Sequence, residues 1–534
     1  MSEAKTTLAA RLSALAGDAD RGGQDFLIGA DGAATTYAEL DALSAALARW
    51  MAARGVTRGD RVAVWLPNDP VWLGLFFGLA RLGATLVAVN TRYRRAELQH
   101  LLSKSGARML IYGGADGHAD FAEEIAGLEA DALPDLQSLA VFRPAGAAPD
   151  RIGSWPVEVL DRDTLPDGEA PADVAAPDDP VILFTTSGTT SAAKLVVHTH
   201  RTIGAHMSGC ADFFGFGQPG AAYLAVLPFC GVFGITATLC SLHAGNPVVV
   251  ADPFTTERAA QLMKRHGITH MFGSDDMFLR LWRHDPSVYD TARACGFARF
   301  TPGIEKELTR MAEAGVPLRG LYGASEVNAL FSAQSGDLPV SERLEGGGMP
   351  AHPQAEIRVR DMDSGQLVPV GEVGILEVRA PTNCVGYFDN PEATARTIDS
   401  EGFVSTSDLV RMRPDGSFVY VARNGDVLRL SGFLTDPAEI EEAIEALDGV
   451  ERAQVVGVSR GGRPRPYAFV ILNGDFDPAA ARAALDERLA HYKVPLDIVP
   501  LDAFPTVESA NGLKIQKARL KAMAQARVDE EAAA

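Results

Sequence analysis

Residues 181–194 read V-I-L-F-T-T-S-G-T-T-S-A-A-K, and the fold follows from how this stretch changes character half-way. Val181 to Phe184 is a short apolar run of the kind that makes a strand covered on both faces. The chain then turns polar. Thr185, Thr186, Ser187, Thr189 and Thr190 supply hydroxyls, Gly188 lets backbone approach a ligand closely, and Lys194 ends the run with a mobile cation. Phosphate is the natural guest of such a loop. It is not a Walker loop, because no second glycine precedes Lys194, no Ser or Thr follows it, and Leu195 to Val197 reads as another strand instead of a helix. A Thr-rich hairpin turn that happens to end in lysine has the same letters, so the stretch needs support from the rest of the chain.

Working outward, the flanking sequence alternates between the two structural periods. Tyr37, Leu40, Leu43, Leu47 and Trp50 lie at helical spacing and predict an amphipathic helix ending at Gly55. Arg61 to Leu66 and Thr85 to Val89 read as strands around a buried helix at Val71 to Leu82, a β/α rhythm that argues for a mostly parallel sheet. Residues 144–180, rich in Ala, Pro and Asp, read as a surface connection. Past Lys194 the alternation resumes: a helix over 199–214, a strand at 223–227, then P-F-C-G-V-F-G at 228–234 leaving a strand end, where open α/β sheets bind ligands. Strands at 247–250 and 268–272 enclose a helix over 256–266, and L-Y-G-A-S-E at 321–326 leaves another strand end. From Gly346 to about residue 422 short alternating strands predict a small β-barrel or β-sandwich. Beyond Asn424-Gly425, helices at 437–447 and 478–491 with strands at 454–458 and 468–472 predict a compact α+β module, and the acidic Ala-rich end at 529–534 is expected to fray.

Composition limits the function classes. The chain has 534 residues, 47% hydrophobic and 22% charged, which suits at least two globular domains. A net charge of −20 without a basic patch speaks against nucleic acid as a partner. Five widely spaced cysteines, Cys210, Cys230, Cys240, Cys295 and Cys384, match neither a disulfide framework nor a zinc site. The N-terminus has no apolar core for a signal peptide, and the most hydrophobic run, 71–89, is interrupted by Arg81, so no integral membrane segment and a cytoplasmic location are expected.

Further motifs then accumulate in order: T-Y-A-E-L at 36–40, G-V-T-R-G-D-R-V-A-V at 55–64, Y-G-A-S-E at 322–326, G-Y-F-D-N-P-E-A-T at 386–394, S-T-S-D-L at 405–409, A-R-N-G-D-V-L-R-L-S-G-F at 422–433, P-A-E-I-E at 437–441 and N-G-L-K-I-Q-K at 511–517. Over nearly its full length the chain resembles the adenylate-forming (AMP-binding) superfamily, in its acyl-CoA synthetase branch. The resemblance implies an α/β fold with a large N-terminal AMP-binding domain over 1–424, built of two α/β subdomains and a small β-barrel. A mobile C-terminal α+β domain over 425–534 would carry the catalytic lysine. It also implies an ATP-dependent acid:CoA ligase, forming an acyl- or aryl-CoA thioester through an acyl-adenylate with release of pyrophosphate and AMP, and ATP, Mg2+ and coenzyme A as cofactors. By resemblance Thr186, Ser187, Gly188, Thr189, Thr190 and Lys194 hold the β- and γ-phosphates and Glu326 holds Mg2+. Ser325 contacts the α-phosphate, Tyr322 stacks on adenine, Asp408 accepts the ribose hydroxyls, and Arg423 reaches ribose or phosphate. Lys514 bridges the α-phosphate and the attacking carboxylate, Gly425 is the hinge, and Gly432 lines the pantetheine tunnel. Charge builds on phosphate oxygens in this chemistry, so fixed donors and cations matter more than a base.

The sequence also departs from the family. Ser191, Ala193 and Leu195 stand where Gly, Pro and Gly are usual, Ser407 replaces the Gly of T-G-D, and the extra residue in N-G-L-K makes Lys517 a rival to Lys514. Phe229, Cys230, Gly231 and Gly234 are expected to line the acyl pocket, with Gly231 where relatives often carry His. Asp275 or Asp276 could meet a cationic substrate group, but a capped helix start before Met277 is the preferred reading, because Asp strongly favours such caps. No acid near 230 is placed to hold a substrate amine, which argues against an α-amino acid. The expected partner is therefore a small-molecule carboxylic acid, and a homodimer is left open. No carrier domain follows residue 534, which favours CoA over an acid-activating ligase that loads a carrier protein. A degenerate nucleotide-binding member without turnover is the remaining alternative.

Overall fold

The structure is a computed structural model, and it describes residues 6–29, 31–114, 121–144, 146–186, 194–301, 304–362, 364–424, 428–430, 433–435, 437–461, 463–509 and 512–533. A nine-stranded sheet is built around the opening apolar run: Pro180–Thr185 pairs in parallel with Thr85–Ala88 and antiparallel with Leu195–Thr199, so the strands on either side of the polar stretch lie next to each other. Gly386–Tyr387 adds the outermost strand, against Val196 and Val197. On the other side Arg61–Trp65, Met109–Gly113 and Ser138–Phe142 continue in parallel, as their fully apolar faces require.

The second sheet has thirteen strands. Its parallel centre, Tyr223–Ala225, Val248–Val250, His270–Ser274, Ala294–Ala298 and Leu318–Ala324, turns antiparallel at Asn328–Ala333. Through Gly347–Pro350 it runs on into Phe418–Arg423, Val404–Met412, Val373–Arg379 and Glu356–Arg360. This antiparallel set is the small β-unit expected from Gly346 onward; it has its own core, around Phe331, Leu376, Val410 and Phe418, and is hydrogen-bonded to the larger sheet. Past residue 428 a three-stranded sheet, Val450–Arg460, Arg463–Leu472 and Ile498–Pro500, has an apolar core on each face. The chain is a mixed α/β protein with a large N-terminal part and a smaller C-terminal one.

Helix Pro70–Leu82 shows why an almost wholly apolar segment can be soluble. It is buried along its length, and Arg81, itself buried, pairs with Asp41 at 2.8 Å on helix Tyr37–Ala52. The two helices touch where Gly78 has no side chain: a Cβ there would stand 2.9 Å from the Ser44 carbonyl oxygen. Among the described residues no helix is long and apolar enough to cross a membrane. All five cysteines are free and buried.

Two expectations fail. The 144–180 connection contains a strand, Trp155–Leu160, paired in parallel with Ser138–Phe142 and anchored by Trp155, whose indole N–H donates to the Leu136 carbonyl at 2.9 Å. The end at 529–533 is helical, because Leu520, Ala524 and Val528 of helix Lys517–Ala533 pack on the C-terminal sheet.

Burial pushes His198, His200 and His270 down to about 4 and His206 down to about 3, from 6.5. The unfolded chain binds these protons first, so the associated stability is complete above about pH 6.5 and is lost as pH falls toward 4, on the order of 3 kcal/mol per ring once below both values. The urea midpoint is therefore expected to fall already between about pH 7 and pH 5, above the carboxylate range. A flat midpoint across that interval would contradict this.

Candidate active site

The hairpin closes its polar loop by two bonds between the same residues. The Thr186 N–H donates to the Lys194 carbonyl at 3.0 Å, and the Lys194 N–H donates to the Thr186 hydroxyl at 3.1 Å. Thr186 and Lys194 thus form the neck of the loop, while Ser187, Gly188, Thr189 and Thr190 lie outside the described residues. The Tyr93 hydroxyl donates to Thr185 at 2.9 Å and braces the first strand just before the neck.

From the neck a chain of contacts leads to the second sheet. The Lys194 ammonium lies 4.6 Å from the centroid of the Tyr387 ring, a cation held against the negative face of an aromatic. The Tyr387 hydroxyl donates to Glu326 Oε1 at 2.8 Å. Burial and the Glu326 charge raise its pKa, so the phenol keeps its proton and remains a donor. One tyrosine therefore bridges Lys194, the lysine expected at the β- and γ-phosphates, and Glu326, the carboxylate expected to hold Mg2+. A magnesium ion commonly uses one or two carboxylates together with substrate phosphates and water. Glu326 fits that pattern, and among the described residues no group of three or more His, Cys, Asp and Glu offers an all-protein cage.

Tyr322, Asp408 and Arg423 form a second group. The buried Tyr322 hydroxyl donates to Asp408 Oδ2 at 2.6 Å, and Arg423, paired in register with Asp408, brings its Nε to 3.9 Å of Oδ1. The Tyr322 ring packs against Phe331, Phe418 and Tyr420. Burial, then Asp408, pushes its hydroxyl well above the usual tyrosine range. Ser407 explains the family's preference for glycine at its position: its φ is 61°, a left-handed conformation that costs a side-chain-bearing residue roughly 1–2 kcal/mol.

Two residues expected at the acyl pocket are engaged within the protein itself. The Asp275 carboxylate is buried and accepts from the N–H groups of Asp276, Phe300 and Thr301 and from the Thr301 hydroxyl, so it holds the 299–301 segment against the start of helix Asp275–His284. Gly234 is explained by packing, since a Cβ there would collide with the Pro228 carbonyl. Phe229 is buried edge-on to Trp72, with its N–H held by the Asn68 side chain at 2.6 Å. Cys230 is also buried, its thiol pushed up to about 12. Gly231 caps helix Val232–Ala244.

Lys514 lies in strand Gly512–Ile515, in register with Val507, and Lys517 begins the last helix. Gly425 and Gly432 are outside the described residues. Tyr387, Tyr93 and Asn68 were not singled out from sequence. Only Tyr387 carried a signal, within G-Y-F-D-N-P-E-A-T.

Residues 17–388 match the family model of the AMP-binding enzyme, and residues 439–511 match the AMP-binding enzyme C-terminal domain. The chain belongs to the AMP-binding enzymes. Among curated relatives of this AMP-binding enzyme, 2-hydroxy-7-methoxy-5-methyl-1-naphthoate–CoA ligase of Streptomyces carzinostaticus is 30% identical over 505 residues, covering 92% of this chain and 88% of the relative. Feruloyl-CoA synthase of an Amycolatopsis species is 30% identical over 498 residues, 90% of this chain and 93% of the relative. The ATP-bound crystal structure of MatB from Rhodopseudomonas palustris shares the fold at TM-score 0.81 and 24% identity, covering 97% of this AMP-binding enzyme and 99% of MatB.

Proposed function

We propose that this AMP-binding enzyme is an ATP- and Mg2+-dependent acid:CoA ligase that makes a thioester through an acyl-adenylate, releasing pyrophosphate and AMP. The observation that carries the residue assignment is the Tyr387 bridge, which brings Lys194 and Glu326, distant in sequence, to one point. Thr186, Lys194 and the loop they close hold the β- and γ-phosphates and stabilise the charge that builds on the leaving pyrophosphate. Glu326 holds Mg2+, which neutralises phosphate charge when bound. Ser325 meets the α-phosphate, and Asp408 accepts from the ribose hydroxyls beside Tyr322 and Arg423. Lys514 brings its cation to the attacking carboxylate and the α-phosphate. The C-terminal domain then turns about Gly425 and opens the thiol route past Gly432. The acid lacks an α-amine, since Cys230 and Gly231 provide no counter-charge, and aromatic acids come first because the naphthoate and ferulate ligases are among the relatives.

The test is pyrophosphate release and thioester formation with CoA over a graded panel of aromatic, fatty and charged acids. CoA-dependent turnover that favours aromatic acids is expected. Acyl-adenylate formation without any thioester would reverse the choice of CoA, and absence of pyrophosphate release with every acid would leave a nucleotide-binding protein without turnover.

A further inference from the structure

His198 has no role in the chemistry above, yet it joins the two sheets at the nucleotide site. Four residues past Lys194, its ring is fully buried and edge-on to Phe184. Nε2 lies 2.8 Å from the carbonyl oxygen of Ser325. A carbonyl only accepts, so Nε2 carries the proton and Nδ1 is the acceptor of the neutral ring. Nδ1 faces the Thr202 hydroxyl at 3.2 Å and the Asn328 amide nitrogen at 3.4 Å.

Asn328 holds the far end of the same turn. Its φ of 66° is a left-handed conformation that asparagine tolerates better than most residues, and its amide donates to the Thr382 carbonyl at 2.8 Å. Between them the Glu326 carbonyl accepts from the Cys384 N–H at 2.8 Å. The turn bearing Ser325 and Glu326 is thus held by His198 in front and by residues 382–384 behind. The strand that carries His198 also begins next to Lys194 and pairs with Tyr387. One strand therefore sets the lysine, the tyrosine and the Ser325–Glu326 turn relative to one another.

We propose that His198 is a positioning residue of the nucleotide site: its Nε2–H bond to the Ser325 carbonyl, backed by Asn328, fixes Ser325 and Glu326 relative to Lys194. The proposal rests on the ligase reading above. A side chain without a donor at 198 would leave a half-buried carbonyl without its bond to the ring and the turn free to shift, and a displacement of about 1 Å costs up to roughly 100-fold in rate.

The experiment compares full-length wild type with His198→Leu, His198→Gln and Asn328→Gly. Three things are measured: acid-dependent ATP–pyrophosphate exchange, single-turnover conversion of preformed acyl-adenylate by CoA, and Mg2+·ATP affinity by calorimetry. In His198→Leu, exchange is expected to fall about 10- to 100-fold while the CoA step stays within about threefold. His198→Gln, whose amide N–H reaches the same carbonyl, is expected to recover most of the loss. Asn328→Gly keeps the left-handed backbone without the amide and is expected to lose about 3- to 10-fold, which tests the network even if His198→Leu does not fold. The proposal is overturned by wild-type exchange in a folded His198→Leu or in Asn328→Gly, or by equal losses in both half-reactions with no rescue by Gln. If wild type binds Mg2+·ATP but exchanges with no acid, the ligase reading fails alone, and weaker ATP binding by His198→Leu still supports the positioning role while equal binding overturns it. Failure of wild type to bind Mg2+·ATP overturns both.

Discussion

Replacing Lys514 by Ala is expected to cut acyl-adenylate formation by about two to three orders of magnitude while leaving a folded protein that still turns preformed acyl-adenylate into thioester. Two anions, the acid and the α-phosphate, must come within bonding distance, and their repulsion is relieved only by a cation between them. A dry site makes that cation worth several kcal/mol. The extra leucine in N-G-L-K leaves two lysines eligible, and the backbone separates them. Lys514 lies inside the hairpin Thr506–Ser509/Gly512–Ile515, where a two-strand ladder fixes its Cα, whereas Lys517 is the first residue of a helix whose next turns are committed to packing through Leu520 and Ala524. Lys517→Ala is expected to stay within about threefold of wild type in the same exchange assay. An active Lys514→Ala with an inactive Lys517→Ala would exchange the two roles, and full activity in both would remove the terminal lysine from the chemistry.

The parts of this architecture that could be read in advance share a cause: each is a local pattern that the fold leaves intact. The apolar runs at 181–184, 61–66 and 85–89 are strands because they are covered on both faces, and nothing distant has to be known. Trp155–Leu160 was illegible for the opposite reason. It is an edge-side strand with Pro156 in it and exposed Val159, and only pairing with Ser138–Phe142 makes it one. In the site, the hydroxyl-rich loop and Glu326 carried family letters, but what joins them did not. Tyr387 reaches Glu326 because a ladder places it beside Val196, and His198 grips Ser325 because two sheets meet there. In the sequence Asp275 reads as a helix-start residue with a substrate contact as the alternative; what sequence could not show is that its carboxylate also takes the N–H groups of Phe300 and Thr301, just past strand Ala294–Ala298.

Asp408→Ala is expected to raise the KM for ATP about 100-fold and to lower stability as well, because the proposed ribose acceptor also accepts from the Tyr322 hydroxyl. Two hydrogen bonds from ribose to a charged acceptor contribute about 1.5 kcal/mol each at the low end, and about 3 kcal/mol corresponds to a hundredfold change in affinity. Within the protein, the same group accepts from the Tyr322 hydroxyl at 2.6 Å and faces Arg423 Nε at 3.9 Å. Alanine leaves a phenol buried without that acceptor, at a cost of roughly 1–3 kcal/mol, so the urea midpoint falls together with affinity. Asp408→Asn separates the two effects. Its amide oxygen still accepts from Tyr322, so the midpoint stays near wild type, while the loss of charge leaves KM for ATP raised about tenfold. Tyr322→Phe reverses the pattern, because the phenylalanine ring keeps its packing against Phe418 and Phe331 and the carboxylate, relieved of one donor, stays available to ribose. Its KM for ATP is expected to stay within about threefold of wild type. A folded Asp408→Ala enzyme with an unchanged KM for ATP would show that the carboxylate serves the Tyr322 hydroxyl alone and that the ribose is held elsewhere.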